Sequence, residues 1–346
     1  MKISRSFDMH GLAGFRLFTD DRQTADYFSA EYAFARDQLA GDVPIVELRW
    51  RISGLPRSPG PGYRLQIHKA AARWHYRIEL LETGVLIEGV GNRAATPMVH
   101  HMLLHPALRW LASQRKILML HAASVARSGN SLLISGAGGA GKTTTSSALL
   151  ARGDSEWRLQ GDDYVFIGTD GMSFAYGTRS HLYLDLVLRF PELSKRLTWI
   201  EQRRLRANWI LRRLSGDRIK LPVRVEFSRI WPNRNLAISA QPAAMLLLRA
   251  SKSIRPQLVR ASDYEAVIDE LLDINFYEAR HFINLVGEPG NWLEVWMARE
   301  RSMITELVQR VPAFELHLPR GSVDLEPALL ELLEKEVAAH GSAAEV

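Results

Sequence analysis

The sequence predicts an α/β protein in two parts: a smaller, mainly antiparallel β module, then a domain built on a phosphate-binding loop. Three observations carry that prediction. Apolar and polar residues alternate with period two through residues 45–90. The period becomes helical from Thr96 onward. "SGAGGAGKTTTSSALLARG", residues 135–153, sets a glycine-rich loop between an apolar strand and a helix-forming stretch. At 346 residues the chain exceeds one typical domain, and ~150 residues per domain suggests two. The boundaries read as 1–115 for the β module with a linking helix, 116–320 for the loop domain and 321–346 for a C-terminal helix and tail.

Composition narrows the class. With 47% hydrophobic and 24% charged residues the chain has the make-up of a folded globular protein. Its longest apolar stretches, "KILMLHAASVA" and "PAAMLLLRA", are shorter than the ~18 residues a membrane helix needs. The N-terminus shows no continuous apolar stretch of a signal peptide, so the expected compartment is the cytoplasm. The absence of cysteine excludes disulfides, thiolate zinc sites and a cysteine nucleophile. The net charge of +6 is concentrated: residues 189–234 hold 13 Lys/Arg against 4 Asp/Glu, a net +9, which leaves −3 elsewhere. The plainer reading of that segment is an amphipathic helix with a solvated basic face; the sharper one is a site for an acidic partner. No recognition motif stands beside it, so nucleic acid is not expected.

In chain order, Val46, Leu48, Trp50 and Ile52 alternate with Glu47, Arg49 and Arg51, and the pattern recurs at Tyr63, Leu65, Ile67 and at Trp74, Tyr76, Ile78, Leu80. This predicts an antiparallel meander with one wet face. Thr96 followed by Pro97 predicts a capped helix start, with Met98, Met102, Leu103, Leu108 and Leu111 as its apolar stripe and His100, His101 and His105 facing solvent. "ILMLHAASVARSGNSLLISG" predicts two strands about the turn "RSGN", and Gly153 predicts the end of the helix after the loop. "YVFIGTDGMSFAY" predicts a hairpin, "AAMLLLRA" a strand, Ser262 with Glu265 a capping box, and "AFELHLP" a last strand between helices near 276–285 and 290–309 and one from Asp324.

The chemistry is densest in the loop. Gly136, Gly141, Lys142 and Thr143 satisfy G-x-x-x-x-G-K-[ST]. Backbone N–H groups of Gly136, Ala137, Gly138, Gly139, Ala140 and Gly141, with Lys142, Thr143 and Thr144, form a cradle for the phosphates of ATP. Lys142 reaches the β and γ phosphates and Thr143 is placed to ligate Mg2+. Asp162 and Asp163 follow 20 and 21 residues after Lys142; one such carboxylate can hold the metal and another can accept the proton of an attacking hydroxyl. The competing reading of "GDD" is a surface turn. His121, 21 residues before Lys142, joins them as a candidate; on its own it reads as a core histidine.

"LHAASVARSGNSLLISGAGGAGKTTTSSALLARG" followed by "LQGDDYVFI" resembles the catalytic domain of HPr kinase/phosphorylase and its relatives, over roughly residues 117–272 and on to "AFELHLP". The resemblance implies an HPr-kinase/PEP-carboxykinase-like fold, with Asp163 as proton acceptor, Asp162 on the metal side and His121 as an active-site neighbour. The glycine-rich glutamate signature of that family is replaced by "YGTRSHLYLDL", where Asp185 is the nearest acid for the metal. Its later catalytic arginine has no clean match; "GDRIKLPV" offers Arg218 and Lys220 as cations, against a surface turn as the plain reading. Relatives with a different front end include tailoring kinases for ribosomally made peptides such as lasso peptides, and kinases of free serine. The expected activity is ATP- and Mg2+-dependent phosphorylation of a serine or threonine hydroxyl in a peptide or protein. A small-molecule kinase and a non-catalytic nucleotide-binding module are the alternatives, and a homo-oligomer is compatible with the sequence.

Overall fold

The computed structural model describes residues 2–41, 43–68, 71–81, 83–151, 156–232, 234–251, 256–286 and 290–319, with 331 and 335. The protein is mixed α/β, and none of its described sheets closes into a barrel. It divides into two compact units: Met1–His121 with Phe166–Gly171 and Asp263–Arg310, and Ala122–Val165 with Met172–Ser262 and Val311–Val346. This division differs from the expected one, because the helical stretch 263–310 joins the N-terminal segment.

The first unit holds a six-stranded sheet: β1 (Ile3–Met9), β2 (Ala13–Thr19), β3 (Ile45–Ile52), β4 (Arg64–His68), β5 (Ala72–Leu80) and β6 (Gly84–Gly91), in the order β1-β2-β3-β6-β5-β4. The expected meander is correct only for its later part, since β4, β5 and β6 pair antiparallel while β3 is parallel to both β2 and β6. Alternation reports which face is buried, not which strand lies alongside. Helix α1 (Arg22–Glu31) provides the crossover that lets β2 and β3 run the same way.

The linking helix starts earlier than expected, with a 3-10 turn at Arg93–Ala95, then α2 (Thr96–Val99), a π-helical turn (His100–Leu104) and α3 (His105–Ser113). Thr96 lies inside it, and no side-chain cap marks the start. His100 and His105 are buried, contrary to the solvent-facing expectation. For His100 the reason is α1 and its C-cap: the Tyr27 and Tyr32 hydroxyls bond to its Nδ1 and Nε2 at 3.0 and 2.9 Å, and the His105 ring packs against His100 at 4.2 Å.

A buried ionic cluster binds 263–310 to this unit. Arg109 on α3 donates two hydrogen bonds, of 2.7 and 2.9 Å, to Glu300 on α10 (Trp292–Arg310). Its guanidinium lies 4.6 and 4.7 Å from the ring centres of Phe276 and Trp296. The Trp296 indole donates to Glu300 at 2.6 Å, and so does the side-chain amide of Asn275, on α9 (Tyr264–Val286), at 3.1 Å. Asn275 also accepts the backbone N–H of His121, just after β7 (Leu118–Leu120), at 2.8 Å. α9 is one continuous helix, not two, and its cap is Asp263, which accepts the Ala266 N–H at 3.0 Å, rather than Ser262.

The sheet of the second unit runs β10 (Arg158–Gly161), β8 (Ala123–Arg127), β9 (Asn130–Ser135), β15 (Ser239–Ser251), β12 (Ser173–Ala175). β17 (Ala313–Pro319) also pairs with β15, and β16 (Gln257–Arg260) with β17. β11 (Val165–Ile167) carries the chain from the second unit into the first, and Gly171 N–H bonds to Gly168 O at the expected "GTDG" turn. Helix α4 (Lys142–Ala151) packs Leu149 and Leu150 into a core with Val125, Trp157 and Leu159. A two-stranded sheet pairs β13 (Ser180–Leu182) with β14 (Val223–Val225); around it lie α5 (Leu184–Arg189), α6 (Pro191–Lys195), α7 (Trp199–Leu214) and α8 (Phe227–Ile230). Gly153 and the C-terminal helix and tail expected at 321–346 lie outside the described residues but for Glu331 and Lys335. Among the described residues no helix is long and apolar enough to cross a membrane.

Removing one member of a buried ion pair leaves the other charge without compensation, so Glu300→Ala should destabilise the protein by ~3–5 kcal/mol. Denaturant unfolding checks this, and the double variant Arg109→Met/Glu300→Leu should recover most of the loss.

Candidate active site

Strand direction brings the loop and the aspartates to one edge. β8 is antiparallel to both β9 and β10, so β9 and β10 run the same way and end on the same side of the sheet. β9 ends at Ser135 and continues into the glycine loop; β10, two strands away at ~10 Å, ends at Gly161 and continues into Asp162 and Asp163.

The loop has the backbone that a phosphate cradle needs. Gly136, Gly139 and Gly141 hold φ of 154°, 86° and 105°, and a Cβ on Gly136 would come within 3.0 Å of Ala140 Cβ. Ala137, Gly138 and Gly139 are exposed at the tip, whereas Lys142 is buried and donates to Gly136 O at 2.7 Å. α4 starts at Lys142, so its N-terminal N–H groups open toward the loop. Thr143 and Thr144 are half-buried in its first turn.

The "GDD" segment is no surface turn. A Cβ on Gly161 would lie 2.0 Å from Tyr164 O, so only glycine allows the chain to fold so tightly there. Gln160 is fully buried; its Oε1 accepts from Ser124 at 2.7 Å and its Nε2 donates to Ser173 O at 3.3 Å, which fixes the end of β10. Asp162 is 5% exposed. The Thr143 hydroxyl and the backbone N–H of His181 lie beside it and favour its ionised form, yet its Oδ2 meets no donor. Burial, and then the neighbouring Asp163, push its pKa up from 3.8 to about 6. The Asp163 side chain is 28% exposed, and its Oδ2 lies 3.2 Å from His181 Nδ1.

His181, Tyr183, Gln160 and Arg224 are site residues that the sequence reading missed. Tyr183, just after β13, has its pKa raised by burial and then by Asp163. Arg224 stands opposite His181 in the β13–β14 register, and burial lowers its pKa to about 10. The available signal was the short alternating pair "SHL" and "VRV"; directly opposed residues on paired strands share a face.

The remaining candidates are engaged otherwise or exposed. Asp185 pairs with Arg212 at 3.0 Å, and Arg212 also binds Asp217. Arg218 and Lys220 are exposed beyond the end of α7. His121 is held within the first unit by Asn275. Among the described residues no group of three His, Cys, Asp or Glu side chains gathers to hold a metal. Mg2+ does not require one: it is commonly bound through one or two carboxylates, substrate phosphates and water. Buried Asp162, with Oδ2 lacking a donor beside the Thr143 hydroxyl, fits such a partial set. No family model matches the chain, and no curated protein matches it.

The folded pKa of Asp162 lies above its ordinary value of 3.8, so its contribution to stability is complete below about pH 3.8 and lost as pH rises through about 6. The ionised form thus costs ~3 kcal/mol. Asp162→Asn should raise Tm by several degrees at pH 8 without metal and leave it nearly unchanged at pH 4, as read by calorimetry.

Proposed function

We propose that this protein is a kinase of the HPr-kinase-like type, which transfers the γ-phosphoryl group of ATP to a serine or threonine hydroxyl of a peptide or protein. The observation that carries the reading is the placement of buried Asp162 beside Thr143, because it joins the first turn of the phosphate-loop helix to the aspartate pair. A glycine loop alone is common to many nucleotide-binding proteins; a loop with two carboxylates beside it suits phosphoryl transfer.

The two aspartates differ in the way the two roles demand. Asp162 is buried and retains an oxygen without a donor, which suits the metal side with Thr143. Asp163 is part-exposed, within reach of an incoming acceptor. Mg2+, when bound, neutralises charge on the transferring phosphates. In the proposed step the acceptor O–H gives its proton to Asp163 and its oxygen bonds to the γ phosphorus. The bond from that phosphorus to the bridging oxygen breaks, and ADP leaves. Lys142 and the loop N–H groups hold the phosphates, and His181 keeps the Asp163 carboxylate oriented.

A free-serine-type kinase would use the same residues on a smaller acceptor, and a non-catalytic nucleotide-binding module would need the loop but not Asp163. Asp163→Asn should retain ATP binding and lose transfer by ~100-fold or more, whereas Lys142→Ala should weaken nucleotide binding itself. The measurement is phosphate incorporation from γ-labelled ATP with Mg2+ into peptides encoded by neighbouring genes, located by mass spectrometry, beside nucleotide titration. Transfer at the parent rate by Asp163→Asn would remove Asp163 from the role of base.

A further inference from the structure

α7 departs from the amphipathic helix that the sequence predicts. Of its apolar residues only Leu205 is buried; Trp199, Ile200, Ile210, Leu211 and Leu214 are 67%, 56%, 52%, 39% and 82% exposed. At ~100° per residue these five fall within ~120° of the helix surface, on the side away from Leu205. Arg204 flanks the stripe on one edge, and Arg206 and Arg213 on the other. Arg203 lies within it and stacks on the Trp199 ring at 4.5 Å. Arg213 stacks on Trp209 at 5.2 Å. Among the described residues no carboxylate pairs with Arg203, Arg204 or Arg206, while Arg213 lies in the field of Asp217 and the helix's own acid, Glu201, is bound by Arg229 and by the Thr198 hydroxyl.

The opposite side of the same helix lines a recess shared with Tyr183. Tyr183, Asp185, Asn208, Trp209, Arg212 and Leu221 line one recess. Tyr183 responds to Asp163, Arg212 and Asp162, so a single side chain lies in the field of both the aspartate pair and α7.

We propose that the outer face of α7 docks an acidic, amphipathic segment of the acceptor, with apolar residues on the stripe and Asp or Glu on the flanking arginines. The proposal rests on the kinase reading and specifies its substrate class. A second copy of the chain is disfavoured as the occupant, because a two-fold contact brings the same patch from each subunit together and would set arginine against arginine. An anionic membrane would match the charge but gives no reason for the stripe to lie on the helix whose inner side shares a recess with Tyr183. Half the circumference of a helix ~11 Å across is ~17 Å, on the order of five extended residues. The phosphorylated hydroxyl should therefore lie about five residues from the docked stretch.

The test uses the full chain and a fluorescent synthetic peptide carrying leucines at i, i+3, i+4 and i+7, flanked by Glu and Asp, with a serine five residues beyond. Controls are the same peptide with Lys for each acid, and vesicles of phosphatidylcholine with phosphatidylserine. The acidic peptide should bind at least tenfold tighter than its Lys counterpart, and more weakly as salt rises. Arg204→Glu/Arg206→Glu and Ile210→Ser/Leu214→Ser should each weaken it at least tenfold while nucleotide affinity stays unchanged. Equal binding of the two peptides, or charge-reversed binding at the parent level, overturns the proposal. So does preferential vesicle binding lost in the same variants, or a dimer in sedimentation that Leu214→Ser dissolves. Loss of phosphotransfer in Asp163→Asn with peptide binding intact separates failure of this surface from failure of the kinase reading.

Discussion

The burial of Asp162 is the constraint around which the second unit is organised. A carboxylate with 5% exposure needs favourable neighbours, and the chain brings two beside it from distant places: the Thr143 hydroxyl in the first turn of α4 and the His181 N–H in β13. Neither contact is possible unless β10 ends at the same edge as β9, which follows from β8 being antiparallel to both. Gly161 permits the tight chain path, and the Gln160 network holds the strand end beneath it. These neighbours do not fully offset burial beside a second carboxylate, and a pKa of about 6 is the result. A cation that binds the folded state there would offset that cost.

This burial also separates two adjacent residues of one type. Asp162 and Asp163 are indistinguishable as letters in "GDD", and the same turn sends one into the interior and leaves the other part-exposed beside His181. Perturbed, unequal environments for neighbouring titratable groups are a common mark of divided chemical roles. The difference arises from backbone direction at a glycine, a property of the fold that no composition or spacing encodes.

What the sequence made legible was local. The loop is read from consecutive residues, the aspartates from their distance to Lys142, and the strands from their alternation. What it concealed depends on pairing between distant segments. His181 and Arg224 share a face through a register linking residues 43 positions apart. Glu300 meets Arg109 across 191 residues, and that buried pair, more than any linker composition, assigns α9 and α10 to the N-terminal unit. His100 was misread because its hydroxyl partners, Tyr27 and Tyr32, come from α1 and its C-cap, in a stretch with no strong periodicity. Alternation likewise located β3 but not its parallel neighbours.

α7 shows the opposite failure, a local pattern whose ordinary consequence does not follow. An apolar stripe at helical spacing usually packs against the core, because transfer from water provides ~25 cal/mol per Å2 of apolar area. Here the helix is held by other means. Thr198 and Glu201 form a reciprocal capping box, Gln202 donates to Ser194 O and Leu197 O, Asn208 donates to Leu221 O, and Arg212 binds Asp185 and Asp217. With polar ties and Leu205 fixing the inner side, the outward apolar residues contribute little to holding the helix in place. Exposed apolar area of that kind is unfavourable in water unless something covers it. Three arginines without carboxylate partners along the same face, Arg203, Arg204 and Arg206, restrict the cover to a surface that is itself both apolar and acidic.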